Sequence, residues 1–213
     1  MAAYAVCQTL GIGKNIILQA IKTFKLPPGR LDLVYNKDFK VIIDFAHTPN
    51  AIYKLLKSIR LEMLKKIPAK IIHIFGSAGL RDFSKRSLMG EASAKYADLV
   101  ILTEEDYRTE KVEGICQQIG QGLKKMKFRE ISKNEIICRD NYSITPTKIL
   151  TKIYTVITDR FEAIKLGISL AQKGDIVVIT GKGHEKSLCR GKTEAPWSEY
   201  EAVTQALQFK VKS

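Results

Sequence analysis

Apolar residues fall along this chain in two rhythms. Short, nearly unbroken runs rich in β-branched residues, at Phe39 to Ala46, Lys70 to Ser77, Asp98 to Thr103, Lys152 to Thr158 and Asp175 to Gly181, read as strands buried on both faces. Between the first two, Thr48 to Lys66 sets Ile52, Leu55, Leu56, Ile59 and Met63 on one helical face, with Thr48 as N-cap and Pro49 at the first helical position. The same spacing returns over Ser84 to Ala97, Val112 to Met126, Asp159 to Gln172 and Ser198 to Phe209. Strands alternating with helices predict an α/β, Rossmann-like, doubly wound and mostly parallel sheet with helices on both faces. Ligands of such a sheet lie outside the carboxyl ends of its strands. The polar, irregular stretch Lys127 to Thr151 reads as an insertion, with a short extra strand at Glu135 to Cys138.

The beginning of the chain does not fit that sheet. Ala2 to Leu10 is apolar on nearly every face, with Gln8 and Thr9 the polar positions, as expected of a helix buried all round. Asn15 to Phe24 reads as a second helix, stopped by Lys25-Leu26-Pro27-Pro28-Gly29, which marks a boundary. Residues 1–29 are therefore expected to stand apart from a domain over residues 30–213.

Composition narrows the classes. With 213 residues, 45% hydrophobic and 27% charged, the chain supports one ordinary core and an appendage, which excludes a disordered tail, a collagen-like fibre and a coiled coil. No apolar run approaches the ~20 residues of a membrane span. The segment Met1 to Cys7 lacks a basic n-region, so a cytoplasmic location is expected. Cys7, Cys116, Cys138 and Cys189 are scattered without metal-ligand spacing, and neither a disulfide framework nor a metal site is expected. The formal net charge of +13 favours anionic partners such as a nucleotide, a phosphorylated sugar or nucleic acid. Because the lysines are spread along the chain rather than massed in one run, a generally basic surface is expected rather than a nucleic-acid groove.

The candidate chemistry sits where a doubly wound sheet places its site. Asp44-Phe45-Ala46-His47-Thr48-Pro49-Asn50 follows one strand, Gly76-Ser77-Ala78-Gly79-Leu80-Arg81-Asp82 the next, Thr103 to Arg108 the third and Gly181-Lys182-Gly183-His184-Glu185 the last. These loops offer small residues for close ligand approach, carboxylates for hydroxyl or ammonium groups, and Arg or Lys for carboxylate or phosphate. Neither Gly-x-Gly-x-x-Gly nor the P-loop pattern Gly-x-x-x-x-Gly-Lys-[Ser/Thr] occurs, and no Ser/His/Asp or Cys/His nucleophile set is evident.

In the order Pro28-Gly29-Arg30, Asp44 to Pro49, Lys85-Arg86-Ser87-Leu88-Met89-Gly90 and Gly181 to Glu185, the chain resembles the Mur ligases, and among them those that add the third residue of the peptidoglycan stem peptide. The resemblance runs from Met1 to about Val203 and implies the C-terminal domain of a three-domain enzyme, with residues 1–29 as the last helices of an absent P-loop ATPase domain. It implies an ATP-dependent acid–amino acid ligase in which an acyl phosphate is attacked by an amine. ATP would be the co-substrate, and Mg2+ would draw its ligands mainly from outside this chain. The partners implied are UDP-MurNAc-dipeptide, the incoming amino acid and a separately encoded P-loop half, with no membrane or nucleic-acid partner.

The resemblance also implies roles. Arg30 would reach the terminal phosphate of ATP, and Asp44, His47 and Asn50 would lie against the adenosine, Asn50 standing where the family usually has Asp. Arg81, Asp106, Arg108, Gly181 and Glu185 match positions that bind the amino acid. There Asp106 and Tyr107 replace the Asn and Pro of the diaminopimelate motif, which leaves diaminopimelate and lysine both open, with diaminopimelate preferred. Without the resemblance, Arg30 reads equally well as a surface linker charge and Asp44 as a helix cap, and the alternative for Arg108 is a solvated loop charge; His73, inside a strand, reads as a packed core histidine. A non-catalytic truncated binding module, a fragment of another Mur or folylpolyglutamate-type ligase, and a basic nucleic-acid-associated protein sharing the fold are the competing readings.

Overall fold

The computed structural model describes residues 2–63, 69–141 and 152–211. Two helices come first, α1 (Ala2–Thr9) and α2 (Lys14–Thr23), and then β1 (Asp32–Asn36), β2 (Lys40–Asp44), α3 (Pro49–Met63), β3 (Ile71–Phe75), α4 (Lys85–Ala94), β4 (Leu99–Leu102) and α5 (Val112–Lys125). The remainder is β5 (Arg129–Glu130), α6 (Lys133–Asn141), β6 (Ile153–Val156), α7 (Arg160–Leu170), β7 (Ile176–Thr180), β8 (Ser187–Arg190), β9 (Thr193–Pro196) and α8 (Glu199–Val211). Seven strands form one sheet in the order β1-β2-β7-β3-β4-β6-β5, with β1 antiparallel and the others parallel.

The expected apolar runs are the central strands β2, β3, β4, β6 and β7, and each is sided. Ile42, Phe75, Val100 and Val178 pack beneath α3, α4 and α5. Val41, Ile43, Ile74 and Ile179 pack beneath α7 and α8 on the opposite face. Each fully buried aliphatic side chain contributes roughly 1.5–3 kcal/mol, so a strand with two dry faces has no room for polar alternation. The α3 start is as expected, since Thr48 Oγ1 accepts the Ala51 N–H at 3.3 Å. Ile52, Leu55, Leu56 and Ile59 are buried, whereas the Met63 side chain lies outside the described residues. Asp159 caps α7, accepting the Glu162 N–H at 2.9 Å. His73 is packed as expected, with Nδ1 2.8 Å from Ser93 Oγ, Nε2 3.0 Å from Thr180 Oγ1 and its ring stacked on Phe75.

Two expectations are corrected. Glu135 to Cys138 is not a strand but part of α6, whose start Ser132 Oγ caps by accepting the Glu135 N–H at 3.2 Å. Ile136 turns inward there and is fully buried. The stretch from Lys127 begins as a regular β-α unit, because β6 supplies the parallel pairing that the exposed, polar Arg129 and Glu130 do not announce; residues 142–151 lie outside the described residues. Helix α1, whose all-round apolar pattern calls for a cover on every side, has no buried residue here; it packs along α2, and Val6 and Leu10 stand 58% and 73% exposed. Strand β1 and the hairpin β8–β9 were not foreseen.

Among the described residues no helix is long and apolar enough to cross a membrane.

Candidate functional site

The loop after β2 and the segment entering β1 are tied together at Asp44. Its Oδ2 accepts the Leu31 N–H at 2.7 Å and its Oδ1 the Ala46 N–H at 2.8 Å. Each oxygen keeps a further lone pair, so the carboxylate can still accept hydroxyl groups. Leu31 is left-handed at φ 48°, and Gly29 is left-handed at φ 71° with a space for its missing side chain of only 2.5 Å to His184 N. Glycine is required there by both conformation and contact. Tyr200 donates its phenol to Asp32 Oδ2 at 2.8 Å, and burial together with that bond pushes the phenol up to about 12.

Phe45 is the centre of this half of the site. The Arg30 guanidinium stacks over its ring at 4.7 Å, and His47 and His184 lie 4.8 and 5.2 Å from it. His47 Nδ1 is 2.8 Å from Phe45 O, and Lys85 Nζ donates to His47 O at 3.0 Å. Asn50 is exposed in the first turn of α3. A cleft of about 480 Å³ opens alongside, lined by Pro28, Arg30, His184, Glu185 and Tyr200 among others. Arg30, Asp44 and His47 are thus brought together around one aromatic ring.

The other half lies between the loops after β3, β4 and β7. Lys182, 1% exposed, donates to Asp106 Oδ1 at 2.8 Å and reaches Glu185 Oε2 at 2.6 Å. Asp106 Oδ1 also accepts the Cys189 N–H at 2.9 Å from the hairpin. Burial opposes the charge on Asp106, but the Lys182 and Cys189 hydrogen bonds outweigh it and hold the carboxyl below its ordinary range. Burial likewise opposes the Lys182 charge, and Asp106 and Glu185 outweigh it, so its ammonium is held above its ordinary value. The Lys182 ammonium is thus shared between the carboxylates of Asp106 and Glu185.

Glu105 is buried beside them, and its Oε2 finds no hydrogen-bond donor among the described residues. Burial raises its carboxyl, against the pull of Arg160, Lys85, His47 and Lys182. A side chain on Gly181, at φ 111°, would come within 2.7 Å of that oxygen, so only glycine leaves the carboxylate its space. Arg108 is left-handed at φ 54° and donates through Nη1 to Gly79 O at 2.9 Å and Asp106 O at 3.2 Å. Arg81 is exposed one loop away. The arrangement offers guanidinium groups at the Arg81 and Arg108 side and carboxylates at the Glu105 and Glu185 side, which suits a zwitterion.

Sequence reasoning missed Phe45, Lys85 and Lys182 as parts of the site, and the hairpin that holds it. Arg190 pairs with buried Glu104, and Arg160 is locked on Glu199 and donates to Thr180 O at 2.9 Å, which fastens the strand ends from behind. A signal for the hairpin existed in Gly191-Lys192 between two short alternating runs. Nothing local distinguishes Lys182 from a solvated lysine.

The family model described as Mur ligase, glutamate ligase domain, matches residues 29–183. A UDP-N-acetylmuramoyl-L-alanyl-D-glutamate--2,6-diaminopimelate ligase of Clostridioides difficile is 36% identical over 208 residues, which is 97% of this chain and 37% of that protein. A UDP-N-acetylmuramyl-tripeptide synthetase of Borreliella burgdorferi is 36% identical over 97% of this chain and 36% of its own length. The chain thus spans little more than a third of these curated relatives. Among solved structures, a UDP-N-acetylmuramoyl-L-alanyl-D-glutamate--2,6-diaminopimelate ligase superposes with a TM-score of 0.67 at 27% identity, over 100% of this chain and 38% of that one. A UDP-N-acetylmuramate-alanine ligase from Thermotoga maritima shares the fold at a TM-score of 0.62 and 17% identity, over 100% of this chain and 37% of that one.

Proposed function

The chain belongs to the Mur ligase family, and from that premise we propose that it is the C-terminal part of an ATP-dependent amide ligase that adds diaminopimelate to UDP-MurNAc-L-Ala-D-Glu in peptidoglycan synthesis. Residues 30–213 form the C-terminal domain in this reading, and α1 and α2 belong with a preceding P-loop unit, on the same chain or on another. The substrates are a nucleotide sugar and ATP, which puts the reaction in the cytoplasm.

The observation that carries the reading is the two-sided site at the strand ends. On one side Asp44 keeps acceptor capacity for ribose hydroxyls, His47 and Asn50 flank it, and Arg30 stands over Phe45, free to turn toward a phosphate. On the other side Arg81 and Arg108 offer donors to carboxylates, while Glu185 and the Gly181 carbonyl accept an ammonium. Because Lys182 pairs with Asp106, the carboxylate at position 106 opposes the distal carboxylate of diaminopimelate less than an unpaired one would, and this favours diaminopimelate over lysine.

In the reaction the substrate carboxylate is phosphorylated, the amine attacks the acyl phosphate and phosphate leaves. This chain binds and orients the amine and closes over the nucleotide, converting a bimolecular encounter into an oriented one. Among the described residues no three His, Cys, Asp or Glu side chains gather to hold a metal ion, so the residues present do not by themselves form a magnesium site. The sequence also lacks a P-loop pattern, so the chain alone is expected to bind without forming amide or hydrolysing ATP.

The test is a titration of the isotope-labelled chain, watched by NMR. Meso-diaminopimelate is expected to move the signals of Arg81, Arg108 and Glu185, and ATP those of Asp44, His47 and Asn50. No response to meso-diaminopimelate, or an equal response to lysine, rejects the assignment.

A further inference from the structure

Behind the two arginines of the amino-acid side lies a third that touches no proposed ligand. Arg86, at the start of α4, is fully buried, and its guanidinium points into the loops rather than to solvent. Nη1 donates to Glu110 Oε1 at 2.5 Å and Nη2 to Glu110 Oε2 at 2.8 Å, a forked pairing that uses both carboxylate oxygens. Nη1 also donates to Gln118 Oε1 at 2.9 Å, and Nη2 to Ala78 O at 3.0 Å. Glu110 Oε2 in turn accepts the Leu80 N–H at 3.0 Å, and Leu80 is left-handed at φ 52°. The loop after β3 is thus fastened on both sides of Gly79, one residue short of Arg81. Gly79 itself donates its N–H to Asp106 O at 2.9 Å and accepts from Arg108 Nη1 at 2.9 Å. Two loops that carry like charges are strapped edge to edge.

We propose that the Arg86–Glu110 pair is a positioning element that fixes the separation of Arg81 and Arg108, so that both can meet the carboxylates of one amino acid. The inference rests on the proposed function, which gives those carboxylates to Arg81 and Arg108. Two guanidinium groups repel, and a non-glycine residue at positive φ relaxes unless its surroundings hold it. A rigid fork with several fixed donors holds such a loop in one geometry, where a lysine ammonium would leave it free to turn. Arg86 meets Glu110, Gln118 and Ala78 at once, so it locks the loop to α4 and α5 together.

The alternative is that the pair is only a bridge between α4 and α5. A bridge loses stability everywhere when broken; a positioning pair loosens the loop first. Glu110→Gln keeps size and an acceptor for the Leu80 N–H while removing the charge, and the Glu110 side chain is 28% exposed, which favours a folded variant. Asp98→Asn is the control, because it breaks another Arg–carboxylate bridge, that with Arg60, far from these loops. Amide hydrogen exchange is measured on the full chain, with meso-diaminopimelate titrated in parallel. In Glu110→Gln the Leu80 and Gly79 amides are expected to exchange at least about tenfold faster while Val100 and Ile179 stay unchanged. Arg81 should respond to meso-diaminopimelate only at several-fold higher concentration, and Arg86→Lys should shift both readouts the same way. Asp98→Asn should leave Leu80 and Gly79 no faster than the core. If Leu80 and Gly79 are unchanged in Glu110→Gln, or quicken only in step with Val100, the pair is a bridge and the proposal is overturned. If the parent itself ignores meso-diaminopimelate, the proposed function fails, while the exchange of Leu80 still decides the strap.

Discussion

Lys182 Nζ donates to Asp106 Oδ1 at 2.8 Å, joining the loop after β7 to the loop after β4 through two groups that are far apart in sequence. The carboxyl of Asp106 is held below its ordinary range, so its stabilisation is present above that range and is lost as pH falls through its folded value. Lys182 is held above its ordinary range, so its share is present below that range and is lost only as pH rises past its folded value. Both are therefore complete at neutral pH. Lys182→Met should lower the unfolding free energy by about 3 kcal/mol at pH 7, because it leaves Asp106 partly buried without its ion-pair partner. Urea unfolding measures it. Asp106→Asn should cost less, since the amide oxygen still accepts the Cys189 N–H, and a larger loss than in Lys182→Met would contradict the account.

A second prediction concerns acid. Burial, with a smaller push from the Arg160 charge, brings His73 down to about 3. The unfolded chain takes up a proton near pH 6.5 that the folded chain refuses, so stability falls as pH drops below 6.5 toward 3. Over that window the loss approaches about 1.4 kcal/mol per pH unit. His73→Asn should flatten this slope, so that the parent loses about 2 kcal/mol more than the variant between pH 7 and pH 5. Equal slopes in the two proteins would show that His73 is not held neutral.

Arg81 and Arg108, proposed to meet the carboxylates of the amino acid, should differ in what they do for the fold. Arg81 is exposed, and Arg81→Ala is expected to stay within about 0.5 kcal/mol of the parent. Arg108→Ala removes the donor to Gly79 O and should cost about 1–2 kcal/mol. Both should weaken the response to meso-diaminopimelate and leave the response to ATP unchanged. Thermal unfolding and the NMR titration separate the two effects.

Helix α1 offers a test independent of ligands. It has no buried residue, and on α2 Ile16 and Ile21 are 65% and 55% exposed. Amides of Ala2–Thr9 should exchange far faster than those of β2, whose Val41, Ile42 and Ile43 are buried. Ile21→Ser should change the unfolding free energy by less than about 0.5 kcal/mol. Protection of α1 equal to that of β2 would mean that its apolar face is covered in solution.

The apolar runs determined the five central strands, and their alternation with helices determined the parallel pairing. A strand dry on both faces is apolar at nearly every position, and that demand is local to the run. The amphipathic helices are legible for the same reason: Thr48, Pro49 and the buried face of Ile52, Leu55, Leu56 and Ile59 all lie within one stretch of chain. The carboxyl ends of those strands then located Asp44, Arg81, Arg108 and Glu185 at one edge of the sheet.

Only the tertiary structure decided which of those charges pair with one another. Asp106 meets Lys182 and Cys189 at sequence separations of 76 and 83 residues, and a pairing across such distances leaves no trace in local periodicity. Strands β1 and β5 escaped for the same reason, being partly exposed and defined by the neighbour that pairs with them. The charge state of a carboxylate depends on its desolvation and its nearest counter-charge, and both are properties of packing, fixed when distant loops close over it.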